Sequence, residues 1–229
     1  MRLITEDFMA FFKELAANNH KAWFDENRKR YENTVKKPWA RLVDELIEQI
    51  REIDPEYTLQ AKNAVTRINR DIRFSKDKTL YKTHMGAMIT PQGRKDKASP
   101  GLYVEVGPAE VRIYGGSHMP DKEPLYNLRQ HIAHNLEEFD ALMKAPDFTQ
   151  RFKMGVQGGA HKRLPPEFKE AAEQQPMLFF KSFYYYAVLD ADVALQPDFL
   201  NVLMEHYRAG KPLKDFLTEG LKASNDGRS

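Results

Sequence analysis

Residues 67–82 read R-I-N-R-D-I-R-F-S-K-D-K-T-L-Y-K, and the side chains best suited to chemistry are concentrated there. The stretch holds six cations, Arg67, Arg70, Arg73, Lys76, Lys78 and Lys82, against two acids, Asp71 and Asp77. The whole chain is nearly neutral, with 35 basic and 33 acidic residues and a net charge of +2. The segment alone is therefore +4 and the remainder −2. Converging cations repel, by roughly 3 kcal/mol for a pair ~6 Å apart at an effective dielectric of about 20. A fold can point such groups into water, pair them with acids, or leave room for an anion. Arg offers a planar fork for carboxylate or phosphate, and Lys a point charge. Ser75, Thr79, Tyr81 and Thr83 add hydroxyl donors. This donor mixture suits a phosphorylated or carboxylated small molecule. The expected ligand-binding set is Arg67, Arg70, Asp71, Arg73, Ser75, Asp77, Lys78, Tyr81 and Lys82, with Gly115-Gly116 and Arg129 completing the wall.

Other readings of the same residues stay open. Asp71 and Asp77 could hold a divalent metal over a phosphate or act as a base. The simpler reading is that each orients a neighbouring Arg or Lys. The segment could equally be a structural ion network, with Lys76 and Lys78 a solvated loop. It could also belong to a non-catalytic binding module for a protein partner or for nucleic acid, with Phe74 or Tyr81 stacking a base. The near-neutral total charge weighs against nucleic acid and against a general membrane binder.

Several chemistries are excluded. The chain has no cysteine, so disulfides, thiolate metal sites and cysteine nucleophiles are absent. No phosphate-binding P-loop, dinucleotide fingerprint or GxSxG nucleophile elbow occurs. His131 and His134 have a helical i, i+3 spacing that can bind metal, but no third ligand accompanies them, and they read as surface residues. No metal site and no catalytic residue are assigned, and the cofactor and the oligomeric state are unknown at this stage. No apolar run reaches the length of a membrane span, and the start MRLITEDFMAFF has acids where a signal peptide is apolar. A cytoplasmic protein without membrane attachment is expected.

The elements that must position the basic segment follow from periodicity. Thr5 reads as an N-cap, with Glu6 and Asp7 in the first turn and Phe8, Phe11, Phe12 and Leu15 at helical spacing. Asn18-Asn19 stops that helix. A second helix is expected to hold Trp23, Phe24 and Tyr31. Pro38 opens a third, with Trp39, Leu42, Val43, Leu46, Ile47 and Ile50 as its apolar stripe. Thr66, Ile68, Arg70, Ile72 and Phe74 alternate with Arg67, Asn69, Asp71 and Arg73, which predicts a strand. A second strand is expected within 83–90. Leu102–Val106 and Val111–Tyr114 bracket Gly107-Pro108-Ala109 as a hairpin. Further helices carry Leu125, Leu128 and Ile132, then Phe139 and Leu142 behind an Asn135/Glu138 capping box. Residues 146–166 read as irregular and 179–189 as an aromatic strand. Two closing helices are expected, from Pro197 to Leu203 and from Pro212 to Leu221. The fold class is α+β, an antiparallel sheet with N-terminal and C-terminal helices packed on it. One domain over 1–224 and a disordered tail over 225–229 are expected.

The motif Arg67-x-x-Arg70-Asp71-x-Arg73-Phe74-Ser75-Lys76-Asp77-Lys78-x-x-Tyr81-Lys82 resembles the signature of the DUF2461 family of uncharacterised bacterial proteins. Asn18-Asn19 with Trp23-Phe24, Asn27, Arg28 and Tyr31 is similar to that family's N-terminal pattern, and Gly115-Gly116, Pro120 and Arg129 also fit. Leu80 stands where the family often has Pro, and Pro166 near a frequent Gly-Phe step. The resemblance spans essentially the whole chain and implies no particular reaction.

Overall fold

Thr5 begins the first helix as its sequence requires: its Oγ1 accepts the Phe8 N–H at 3.4 Å, and α1 runs over Glu6–Ala17. Phe8, Phe11, Phe12 and Leu15 form its buried face. Asn18 closes it, with both its backbone N–H and its Nδ2 donating to the Glu14 carbonyl at 3.0 Å. The computed structural model describes residues 3–96 and 98–222, and the tail expected to be disordered lies outside them.

The expected second helix is interrupted. It consists of α2 (Lys21–Glu26), α3 (Arg28–Arg30) and a π turn (Tyr31–Lys36) that leads directly into α4 (Lys37–Ile53). Pro38 explains the π turn. A proline lacks the N–H that would bond to residue i−4, here Thr34, and its ring crowds that carbonyl. Wider winding just before it relieves both problems. The Thr34 hydroxyl donates to the Arg30 carbonyl at 2.9 Å within the widened segment. The α4 stripe is buried at every residue expected. A short helix α5 (Ala61–Ala64) follows, its first N–H bonded to the Asp44 carboxylate at 2.7 Å.

The strand expected at 66–74 does not form. In this stretch the isolated antiparallel bridges are at Val65 with Ala87 and at Asn69 with Tyr81. The Arg70 N–H donates to the Leu80 carbonyl and the Lys82 N–H to that of Ile68, and residues 71–79 leave the pairing as a loop. The second expected strand is present as β1 (Met85–Ile89). The hairpin is present as β2 (Gly101–Val106) and β3 (Glu110–Ser117). With β4 (Phe183–Asp190) these make an antiparallel sheet in the order β1-β2-β3-β4, and the fold is α+β with N-terminal and C-terminal helices.

The chain divides into two compact units. The first comprises, of the described residues, 3–94, 103–113 and 188–204. Its core joins the aromatic face of α1 to Phe24, Tyr31 and Trp39. The second comprises 95–102 apart from Lys97, 114–187 and 205–222. It contains α6 (Lys122–His134), α7 (Leu136–Lys144), α8 (Pro146–Arg151) and α9 (Lys169–Gln174). Its core gathers Leu128, Ile132, Phe139, Phe148, Phe183 and Phe216.

Four expectations are corrected here. Asn135 begins α7 without a capping box, because its Nδ2 donates backwards to the His131 carbonyl at 2.8 Å. Residues 146–151 are helical, with Pro146 in the first turn, where its missing N–H costs nothing. The strand starts at Phe183 rather than 179, because Pro176–Phe179 forms a 3-10 turn. The two closing helices are one, α10 (Phe199–Lys222), with Pro212 inside it. Buried Leu213, Phe216 and Leu217 hold the helix together past the proline, and the Tyr185 hydroxyl donates to the Gly210 carbonyl at 2.8 Å.

Candidate functional site

The basic segment is an exposed loop of the first unit with a buried foot. Tyr81 forms the foot: it is 6 % exposed, and its ring stacks on Phe24 with centroids 4.2 Å apart and planes 13° apart. Its N–H donates to Asn19 Oδ1 at 2.9 Å and its carbonyl accepts from Asn19 Nδ2 at 3.0 Å. The side-chain amide of Asn19 thus pairs with Tyr81 as a neighbouring strand would. Ile68, also buried, closes the other leg. Tyr81 therefore anchors the loop and is not a base-stacking surface.

Above the foot, each acid serves one arginine. Asp71 takes a two-pronged contact from Arg73, Nε to Oδ1 at 2.9 Å and Nη2 to Oδ2 at 2.6 Å. Asp77 accepts from Arg70, which also contacts the Thr79 hydroxyl. Each carboxylate also bonds the backbone N–H two residues on, Asp71 to Arg73 at 3.3 Å and Asp77 to Thr79 at 2.9 Å. Asp side chains favour turns by this local bond. The Arg73 contact holds the Asp71 pKa at about 2, and the Arg70 contact, with Thr79, does the same for Asp77. Each of the two acids is bonded to a neighbouring arginine.

Lysines of the loop also bond to neutral groups. Lys78 Nζ donates to the Ile72 carbonyl at 2.9 Å, and Lys82 Nζ to the Thr66 hydroxyl at 3.3 Å. Arg67 and Lys76 are exposed and make no hydrogen bond or ion pair among the described residues. Ser75 is half-buried. Among the described residues no three His, Asp or Glu side chains are grouped to hold a metal ion.

Phe74 departs from the strand alternation. The alternation Ile68, Arg70, Ile72, Phe74 implied an inward ring, yet Phe74 is 95 % exposed, with the Arg73 guanidinium 5.9 Å from its ring centroid. The signal against burial was present: positions 76 and 78, next on that face, are both Lys.

Arg129 and the glycine pair belong to the second unit. Arg129 is 7 % exposed, donating through Nε to the Leu178 carbonyl at 2.8 Å and through Nη2 to that of Phe180 at 3.0 Å. Burial lowers its pKa. Gly115 gives space to the Tyr185 ring, and Gly116, at φ +88°, to the Phe183 carbonyl. His131 is not a surface residue: its ring lies 4.3 Å from that of Phe216, and its Nε2 is buried without a hydrogen-bond partner among the described residues. Sequence reasoning also missed an aromatic row on the solvent side of β3 and β4. Tyr114 stacks with Tyr186 at 5.5 Å and Tyr186 with Tyr184 at 6.5 Å, while His118 meets Tyr184 edge-on at 5.9 Å. Alternation along β4 foretold this wet face, but not the pairing of Tyr114 with Tyr186 across two strands.

The family model described as conserved hypothetical protein (DUF2461) matches residues 7–216. No curated protein and no solved structure matches the chain. No helix among the described residues is long and apolar enough to cross a membrane.

Proposed function

Since the chain belongs to the DUF2461 family, whose description assigns no reaction, we propose from the residues themselves that it is a binding protein for an anionic partner, contacted through the loop 67–82. The observation carrying this reading is a charge excess that local pairing leaves uncancelled. Asp71 and Asp77 are each committed to one arginine, yet six cations stand against these two acids, so the loop keeps a formal +4. The hydrogen bond from Lys78 to a carbonyl orients that group without removing charge. A phosphate- or carboxylate-bearing partner supplies the missing negative charge. The fork of Arg73 already faces Asp71, so Arg67, Lys76 and Lys78 make the first contacts. The exposure of the loop supports a partner with several anionic groups over a single small anion in a closed pocket. Ser75, Thr79 and Arg129 are secondary in this reading, the last because two carbonyls occupy its guanidinium.

The test is thermal unfolding with citrate and with inorganic tripolyphosphate, on the wild type and on a doubly substituted Arg67→Ala, Lys76→Ala protein. A ligand that binds only the native state raises its midpoint. The expected outcome is a rise for the wild type that is at least halved in the variant. Equal shifts in both proteins remove the loop from the site.

A further inference from the structure

Resting on that anion-binding reading and deepening it, we infer that the partner of the loop is a single-stranded nucleic acid, and that Phe74 is the platform on which one unpaired base stacks. Phe74 is the observation that simple charge attraction leaves unexplained. An apolar ring exposed to 95 % is unfavourable in water, and neighbouring Ile72 and Leu80, which are half-buried, do not cover it. It projects from a loop with six cations within sixteen residues. Arg73, bonded to Asp71 on one side, has its guanidinium 5.9 Å from the ring on the other. The acid thus holds Arg73 over the ring as a cation–π contact, and the nearly full exposure of Phe74 leaves ring surface for a base. Single strands are bound by this combination, cations following the phosphates and a π-face taking a base. A duplex keeps its bases stacked and offers the ring nothing. A small phosphate uses the cations and ignores the ring. A bilayer calls for more apolar surface than one exposed ring.

The experiment measures fluorescence anisotropy of a labelled fifteen-nucleotide oligothymidylate. Its duplex, inorganic polyphosphate and phosphatidylserine-containing vesicles serve as competitors. Three proteins are compared: wild type, Phe74→Ala and Lys76→Ala. The wild type is expected to bind the single strand at least tenfold more tightly than the duplex. Four neutralised phosphates give a slope of log K against log salt of about −3. Phe74→Ala should weaken single-strand binding about tenfold without changing that slope, and Lys76→Ala should make it shallower by about 0.7. Phe74 is almost fully exposed, so its loss leaves the packing intact, and unfolding midpoints check this. Polyphosphate binding as tight as the single strand's, with no effect of Phe74→Ala, overturns the nucleic-acid inference and leaves the anion reading standing. Binding to vesicles but not to the oligonucleotide also overturns it. Binding to no anion at all removes both.

Discussion

The side-chain amide of Asn19 holds both backbone polar groups of Tyr81, accepting its N–H at 2.9 Å and donating to its carbonyl at 3.0 Å. One side chain thereby fixes the point from which the charged loop projects. The loop's outer pairs are exposed, so this inner contact decides whether its cations share a defined arrangement.

Replacing Asn19 with Ala should therefore affect the loop more than the helix it follows. Two hydrogen bonds are lost and two partly buried backbone groups are left unpaired, a destabilisation of about 1–3 kcal/mol. Urea unfolding measures the loss. Amide hydrogen exchange locates it, with faster exchange expected at Tyr81 and Lys82 and unchanged protection in α1.

The two loop acids should titrate far below ordinary carboxylates. Their native values lie at about 2, against 3.8 for the free side chain. A depressed native pKa means that the folded loop binds the proton more weakly than the unfolded chain does. The contribution of the pairs is thus complete above pH 4 and fades as the pH falls through 2. Carboxyl carbon chemical shifts should give midpoints near 2 for both residues. In Arg73→Ala the Asp71 midpoint should rise towards 3.8 while that of Asp77 stays in place.

Gly116→Ala should be among the most damaging single changes in the second unit. The backbone there has φ +88°, and a Cβ would collide with the Phe183 carbonyl. Left-handed strain and a clash against backbone together predict a loss of about 2 kcal/mol or more, read as a lower unfolding midpoint. A fully stable variant would show that the close approach of β3 to β4 can relax.

Arg129 tests the difference between a structural and a binding cation. Its guanidinium ties together the carbonyls of Leu178 and Phe180 on one side of the second unit's core. Arg129→Ala should cost about 2–4 kcal/mol, with Arg129→Lys restoring only part, since an ammonium cannot span two carbonyls in one plane. The salt dependence of anion binding should be unchanged in Arg129→Lys. A shallower slope would return this residue to the site.

Much of the fold was legible because it depends on local periodicity. The α4 stripe and the β2–β3 hairpin follow from apolar spacing and from Gly107-Pro108-Ala109. The errors fall where a distant partner outweighs a local signal. Pro212 reads as a helix start, but buried Leu213, Phe216 and Leu217 carry α10 through it. The alternation at 66–74 reads as a strand, but its partner leg pairs only from Leu80 on, so residues 71–79 arch outwards. Within the candidate site, the cations and their two acids were visible from composition alone. The anchor was not, because Asn19 and Tyr81 lie 62 residues apart. Arg129 was grouped with the loop on charge, and its carbonyl partners are beyond what a sequence pattern displays.

The widened winding over Tyr31–Lys36 fixes how much chain this stretch can lose. A π turn takes up one residue more than the α winding it replaces. Excising one amino acid there would let the segment close to ordinary α winding, so Trp39 and Leu42 would keep their facing relative to Tyr31 and Phe24, while the Pro38 ring would again crowd the carbonyl four residues before it. Point substitutions at solvent-facing Glu32 or Lys36 preserve the wide winding, whereas a single-codon deletion between them removes it and with it the room for the Pro38 ring.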